Sequence, residues 1–307
     1  MPVARRESSM RAMSRRAVRT GLAAALLSAA VAASAEAAVV PVELTARHAT
    51  VQVAPGVRME AWTFNGSVPG PTIRVREGDV VQVTLRNAES PRGHHGRPMW
   101  HSVDFHAAQL APNVGFAGVA PGRQKTFSFV ASRPGVFMYH CGTAPMIEHI
   151  GMGMYGAIIV EPAAGRPPAH EVTLVQSELY GRVHHGRLHG SAAAMRGQRP
   201  RYVVFNGRAM RYMSEPIPVP VGEPVRVHLV DAGPSRSSAF HVVGTIFDVV
   251  QPDGNPENVL RGVSTHLVGA GGGAVFELTF PEPGVYPFVT HAMRDAAAGA
   301  MGRFQAG

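Results

Sequence analysis

The chain has 307 residues, 45% of them hydrophobic and 16% charged, with 34 Gly, 25 Pro and a single Cys. Its formal net charge is +8, but residues 1–35 hold six Arg against one Glu, and the remainder balances 23 basic against 20 acidic residues, a net +3. That balance argues against a nucleic-acid partner, and one cysteine excludes an internal disulfide. So many Gly and Pro, with few helical stripes, point to an all-β chain long enough for two domains.

In chain order, the first segment reads as an export signal. Arg5, Arg6, Arg11, Arg15, Arg16 and Arg19 precede an apolar, Ala-rich run from Gly21 to Ala33, and Ala33-Ser34-Ala35 is a small-x-small cleavage site. Ser14-Arg15-Arg16 suggests twin-arginine export. The expectation is a signal peptide over 1–35 and a periplasmic or secreted mature protein.

From Val39 the pattern is short strands and turns. Thr72-Ile-Arg-Val75 and Asp79-Val-Val-Gln-Val-Thr-Leu85 largely alternate with the two-residue period of half-buried strands, with Glu77-Gly78 as a tight turn between them. Around Glu161-Pro162-Ala-Ala-Gly-Arg-Pro-Pro168 the composition becomes linker-like, and a second strand series starts at Val172. The second half repeats the first. Phe64-Asn65-Gly66 recurs as Phe205-Asn206-Gly207, Gly78 as Gly222, and Pro134-Gly-Val-Phe as Pro283-Gly-Val-Tyr, at offsets of 141, 144 and 149 residues. The prediction is two tandem Greek-key β-sandwich domains, 39–163 and 164–307. The histidines of Gly93-His94-His95-Gly96 and of His184-His185-Gly-Arg-Leu-His189 read as solvated loops, not accessory metal sites.

The chemistry concentrates between Pro134 and Pro162. His140 precedes the only cysteine, Cys141; His149 follows eight residues on and Met154 five after that. Thiolate, imidazole and a weak thioether are the donors of a blue, electron-transfer copper, with one more His required. Met146 and Met152 compete with Met154 for the axial place. On extended backbone successive side chains face opposite sides. His140 and Cys141 therefore serve two metals, and so do His101 and His106, five residues apart. One set is His101, Cys141, His149 and Met154, a type 1 copper. The other starts with His106 and His140 and needs a third imidazole. The two sets are joined by the His140–Cys141 peptide, whose Cα atoms are about 3.8 Å apart.

These motifs, His101-Ser-Val-Asp104-Phe-His106, His140-Cys141, Gly153-Met154-Tyr-Gly, Phe240-His241-Val-Val-Gly and Val289-Thr-His291, resemble the two-domain copper nitrite reductases, of the multicopper oxidase and cupredoxin superfamily. The resemblance spans essentially the whole mature chain. It implies cupredoxin-like domains and reduction of nitrite to nitric oxide, with one type 1 and one type 2 copper per chain. It makes His291 the third type 2 ligand, given across the interface of a homotrimer. It makes Asp104 and His241 the acid pair that supplies protons to nitrite, so the rate should fall above neutral pH. It also implies a small periplasmic electron donor, a cytochrome c or a cupredoxin. The chain departs from the family at Ala107–Gly118 and at Val243, which bear on substrate preference.

Three rivals stand beside this reading. A multicopper oxidase reducing dioxygen needs several His-x-His pairs, and this sequence has none. A non-catalytic cupredoxin electron carrier has no use for the set His106, His140, His291. A copper-storage role rests only on Met and His richness.

Overall fold

A computed structural model describes residues 37–91 and 98–307. The predicted export segment and the His94-His95 pair lie outside these residues. The first half contains β1 (Val39–Ala54), β2 (Val57–Phe64), β3 (Ile73–Arg76), β4 (Val80–Asn87), β5 (Asp104–Phe105), α1 (Pro112–Gly115), β6 (Gln124–Val130), β7 (Gly135–His140), α2 (Met146–Gly151) and β8 (Tyr155–Glu161). The second half begins with β9 (His170–Leu179), β10 (Gly181–His184), β11 (Arg187–Gly190), α3 (Ala192–Arg196), β12 (Tyr202–Phe205), α4 (Arg211–Ser214), β13 (Ile217–Val219) and β14 (Pro224–Asp231). It continues through β15 (Ser238–Val242), β16 (Phe247–Pro252), β17 (Leu260–Val263), β18 (Thr265–Val268), β19 (Gly273–Thr279), β20 (Gly284–Thr290), α5 (Met293–Ala297) and β21 (Met301–Ala306).

Two β-sandwiches result, as the repeat predicts. In the first, the sheet β10-β11-β2-β1-β4-β6 faces the sheet β3-β8-β7-β5; in the second, β12-β9-β14-β19-β16-β17 faces β13-β21-β20-β15-β18. The alternation read in β4 places Val81, Val83 and Leu85 in the first core beside Phe105, Tyr139 and Ile158. The equivalent Val225, Val227 and Leu229 enter the second core beside Phe276 and Phe288. Both halves pair their first long strand in parallel with the strand after the repeated glycine, Gly78 or Gly222: β1 with β4 and β9 with β14. The repeated Asn-Gly explains the entry of each chain: Asn65 (φ 59°) and Asn206 (φ 50°) both precede a glycine of positive φ. Each Asn side chain then accepts from and donates to the first strand of its half, at Thr45 and Glu43 or at Val175 and Thr173.

The tight turn read at Glu77-Gly78 is present, with Asp79 N–H donating to Arg76 O (3.0 Å), and it carries the chain from one sheet to the facing one, since β3 and β4 belong to different sheets. Helix α2, six residues long, follows Cys141 and carries His149. One local reading changes. The His184–His189 segment is not a solvated loop but the hairpin β10–β11, and β11 pairs in parallel with β2, at Arg187–Arg58 and Leu188–Met59. A second-half hairpin thus completes a first-half sheet.

The halves also share a core. Strand β8 is buried along almost its whole length because Ile158 and Val160 face the first core, while Tyr155, Ala157 and Ile159 meet Val175, Val230 and Val275. At one end this junction is polar. Arg74 spans Glu161 and Glu171 at 2.8 Å each, Arg226 bonds Glu171 (3.2 Å) and Glu277 (2.8 Å), and the fully buried His228 lies among them.

Candidate metal centres

Strand β7 aims the site. It ends in His140, and the next residue, Cys141, turns the other way. Cys141 Sγ lies 3.2 Å from His149 Nδ1 and 3.9 Å from His101 Nδ1, and all three side chains are buried. His149 is presented by α2, whose buried face it shares with Ile150. The backbone knots this group together: Cys141 N–H donates to Met154 O and Met154 N–H to His149 O, both at 3.0 Å. Met154 is fully buried in the same core as Cys141, whereas Met146 is 45% exposed and Met152 faces a cavity. Gly153 (φ 118°) makes that course possible, because a Cβ there would meet Val68 Cγ2 at 2.6 Å and Trp62 O at 3.0 Å.

Burial pushes the pKa of His101 down to about 4, with Glu89 opposing it, and that of His149 to about 4, with His101 adding to it. Both rings are neutral at neutral pH, so each offers a lone pair. Two neutral imidazoles, a thiol and a thioether in one dry pocket fit a soft, copper-type donor set.

The second group lies on the other face. His140 Nε2 and His106 Nε2 are 3.1 Å apart. His106 Nδ1–H donates to Gly271 O (3.0 Å) and His140 Nδ1–H to Cys141 O (3.1 Å), so both Nε2 atoms carry lone pairs and point at each other. Apposed lone pairs at this distance call for a shared cation, which is the fit this pair shows for a metal. The His140 pKa is lowered, first by burial and also by His106, while its bond to Cys141 and the charge of Asp104 work the other way. Asp104 stands directly opposite His140 in the β5–β7 register.

His291 and His241 sit elsewhere. They are neighbours at the ends of β20 and β15, ring centroids 5.7 Å apart, with His241 Nδ1 donating to Ser264 O and His291 exposed. Among the described residues of one chain, no third ligand joins His106 and His140 within 4.8 Å. Val243 is exposed beyond β15, and Ala107–Gly118 holds the short helix α1.

Some supporting residues escaped the sequence. Asn87, wholly buried at the end of β4, donates through Nδ2 to Met99 O (2.8 Å) and Val119 O (2.9 Å), which fixes the strand-like segment carrying His101. Ser102 donates its N–H toward Cys141 Sγ (3.4 Å), and its Oγ accepts from Gly142 N (3.0 Å). Asn87 and Ser102 carry no local signal, because their partners lie far along the chain. Of the other possible metal cluster, Glu161, Glu171 and His228, both carboxylates are already bound by arginines.

The multicopper oxidase family models match residues 45–165 and 188–307. The copper-containing nitrite reductase of Neisseria meningitidis serogroup A is 38% identical over 274 residues, covering 87% of this chain and 69% of that protein. The chain belongs to the copper-containing nitrite reductases. Among solved structures, the copper nitrite reductase from Nitrosomonas europaea superposes with a TM-score of 0.80 at 40% identity, covering 88% of this chain and 94% of that one. A structure described as a multicopper oxidase follows at TM-score 0.76 and 30% identity, covering 88% and 89%. Membership in the nitrite reductase family implies copper as the metal.

Proposed function

We propose that this chain reduces nitrite to nitric oxide. The observation that carries the reading is the fork at the end of β7: two consecutive residues, His140 and Cys141, enter two separate donor groups. The first group, His101, Cys141, His149 and Met154, would hold a type 1 copper. The second, His106 and His140 with His291 from an adjacent copy, would hold a type 2 copper. Copper bound there supplies one-electron redox chemistry at the first group and an open position for an anion at the second.

The protein's own part is structural and electrostatic. The dry pocket keeps the thiolate and its imidazoles rigid. The peptide between Cys141 and His140 is a covalent path from Sγ toward Nε2. The Gly271 and Cys141 carbonyls fix the tautomers of the two facing histidines. Nitrite needs one electron and two protons to give nitric oxide and water. Asp104, opposite His140, donates one proton; His241, beside His291, relays the other. His241 and Asp104 come together when a neighbouring copy brings His291 to His106 and His140, and the separation of the two histidine pairs within one chain supports a homotrimer. A signal peptide, a periplasmic or secreted location, denitrification and a cytochrome c or cupredoxin donor complete the proposal.

The test is anaerobic nitric oxide release by the copper-loaded mature protein, with nitrite and a reduced dye. Release suppressed at least tenfold by Asp104→Asn and by His241→Ala, with a rate falling above pH 7, is the expected result. No release from a blue protein with both donor groups filled would overturn it.

A further inference from the structure

The second metal centre leans on a loop that none of the motifs includes. His106 is seated by two hydrogen bonds: its backbone N–H donates to Met138 O and its Nδ1–H to Gly271 O, both at 3.0 Å. Gly271 lies in the run Gly269-Ala-Gly-Gly-Gly273, which leads from β18 into β19. The run passes too close to the first half for side chains. A Cβ on Gly273 would collide with Val136 O at the start of β7, and one on Gly271 would lie 3.3 Å from His106 Cε1. Glycine restricts its own backbone least of all residues. The aim of the Gly271 carbonyl therefore has to be set by a neighbour.

That neighbour is Asp231, the last residue of β14. Gly271 N–H donates to Asp231 O (2.7 Å), and Asp231 N–H donates to Gly272 O (2.9 Å), so the backbone of Asp231 grips the loop in both directions. The side chain steadies that backbone. Asp231 is wholly buried, and its Oδ1 accepts from Gly233 N–H (3.0 Å). Gly233, at φ +63°, packs in turn on the loop: a Cβ there would lie 3.1 Å from Ala270 Cβ. Burial pushes the pKa of Asp231 well up, against the pull of the Gly233 and Ser238 N–H groups, which favours the neutral carboxyl. Its register partner on β9, Gln176, is wholly buried too. Among the described residues, neither Asp231 Oδ2 nor the Gln176 amide finds a hydrogen bond. For packing alone, an apolar residue of that size would cost less to bury. The polar side chain is accounted for by the turn it holds.

We infer that Asp231 is a positioning residue for the second metal centre: it sets the Gly271 carbonyl and, through it, the tautomer and direction of the His106 ring. This inference rests on the reading above in which His106 and His140 share a copper. The route crosses the repeat, from Asp231 in the second sandwich through Gly271 to a ligand carried by the first. Partners that orient a metal-bound histidine in this way typically contribute 10–100-fold in metal affinity or activity. The first centre has no such route, because Cys141, His149 and Met154 are tied to one another within the first half. Losing the Asp231 carboxyl should therefore weaken one centre and spare the other.

The experiment titrates the copper-loaded full chain, Asp231→Leu and Asp231→Asn with a copper chelator. Blue absorbance follows the first centre and the paramagnetic resonance spectrum the second. Leucine fills the space without an acceptor; asparagine keeps an oxygen for Gly233 N–H and matches the neutral carboxyl. In Asp231→Leu the second centre should bind copper about 10–100-fold more weakly, with an altered hyperfine splitting, while the blue band titrates as in the parent. Asp231→Asn should restore both readings. A Leu variant whose second centre matches the parent, a loss shared equally by both centres, or an Asn variant as impaired as Leu overturns the inference. A second arm uses the unaltered protein, so a misfolded variant does not decide the outcome. By reciprocity, emptying the second centre should speed amide hydrogen exchange at Asp231, Gly271 and Gly272 by about tenfold or more, and unchanged exchange overturns the inference. Neither arm reads nitrite turnover. A chain that passes both but releases no nitric oxide overturns the proposed activity alone, and a parent that takes up no copper at His106 and His140 overturns both.

Discussion

Replacing His228 by leucine should make the protein resistant to mild acid. His228 is completely buried on β14, and neither ring nitrogen has a hydrogen-bond partner. Burial drives its pKa down to about 3; Glu171 opposes this, and Arg74, Arg166 and Arg226 add to it. In the unfolded chain a histidine titrates near 6.5. Between those values the unfolded state binds the proton and the folded state refuses it, so stability falls as pH drops below 6.5. The slope approaches about 1.4 kcal/mol per pH unit, which amounts to about 2–3 kcal/mol by pH 4.5. His228→Leu removes that loss. It also removes a buried unpaired polar ring, so the variant should be at least as stable as the parent at pH 7.5. His101 and His149, also held low by burial, lose stability in acid in the same sense, but equally in both proteins. Urea unfolding of parent and variant, followed by tryptophan fluorescence at pH 7.5, 6.5, 5.5 and 4.5, reads the difference. Parallel stability curves over that range would refute the reasoning.

Gly271 has φ +83°, and a Cβ there would lie 3.3 Å from His106 Cε1. Gly271→Ala should therefore displace the carbonyl that holds His106 Nδ1, so metal analysis should find most of the copper at the second centre lost while the blue colour stays. Asn87→Ala should leave the Met99 carbonyl without its Nδ2 donor and the Val119 carbonyl with the His101 N–H alone, at a cost of about 1–3 kcal/mol. The segment bearing His101 should loosen with it; urea midpoints and faster bleaching of the blue band by a chelator would show this.

Much of the architecture is written in short-range patterns. The alternation in β4 and the two Asn-Gly turns need only local physics, and they repeat, so two sandwiches can be read directly. The fork of His140 and Cys141 is equally legible, because it follows from the two-residue period of a strand. What stays hidden depends on distant partners. The pairing of β11 with β2 joins residues far apart in the chain, and Gly-, His- and Arg-rich composition disguises those strands as loop. The unbroken apolar run of β8 shows no period because both faces are covered. Asn87 looks like any other strand-end asparagine until Met99 and Val119 fold back over it. The separation of His291 from His106 and His140 is a matter of tertiary placement, which no spacing encodes.

The hairpin β10–β11 makes the tandem repeat indivisible. Cutting the chain at the linker near residue 163 would not yield a free-standing first half. It would strip β2 of its neighbour and leave a row of open backbone donors and acceptors beside Met59, in a strand that is otherwise largely apolar on one face. Such a bare sheet border recruits other strands. The second half therefore serves the first as a selvedge, closing the border that β2 would otherwise leave open.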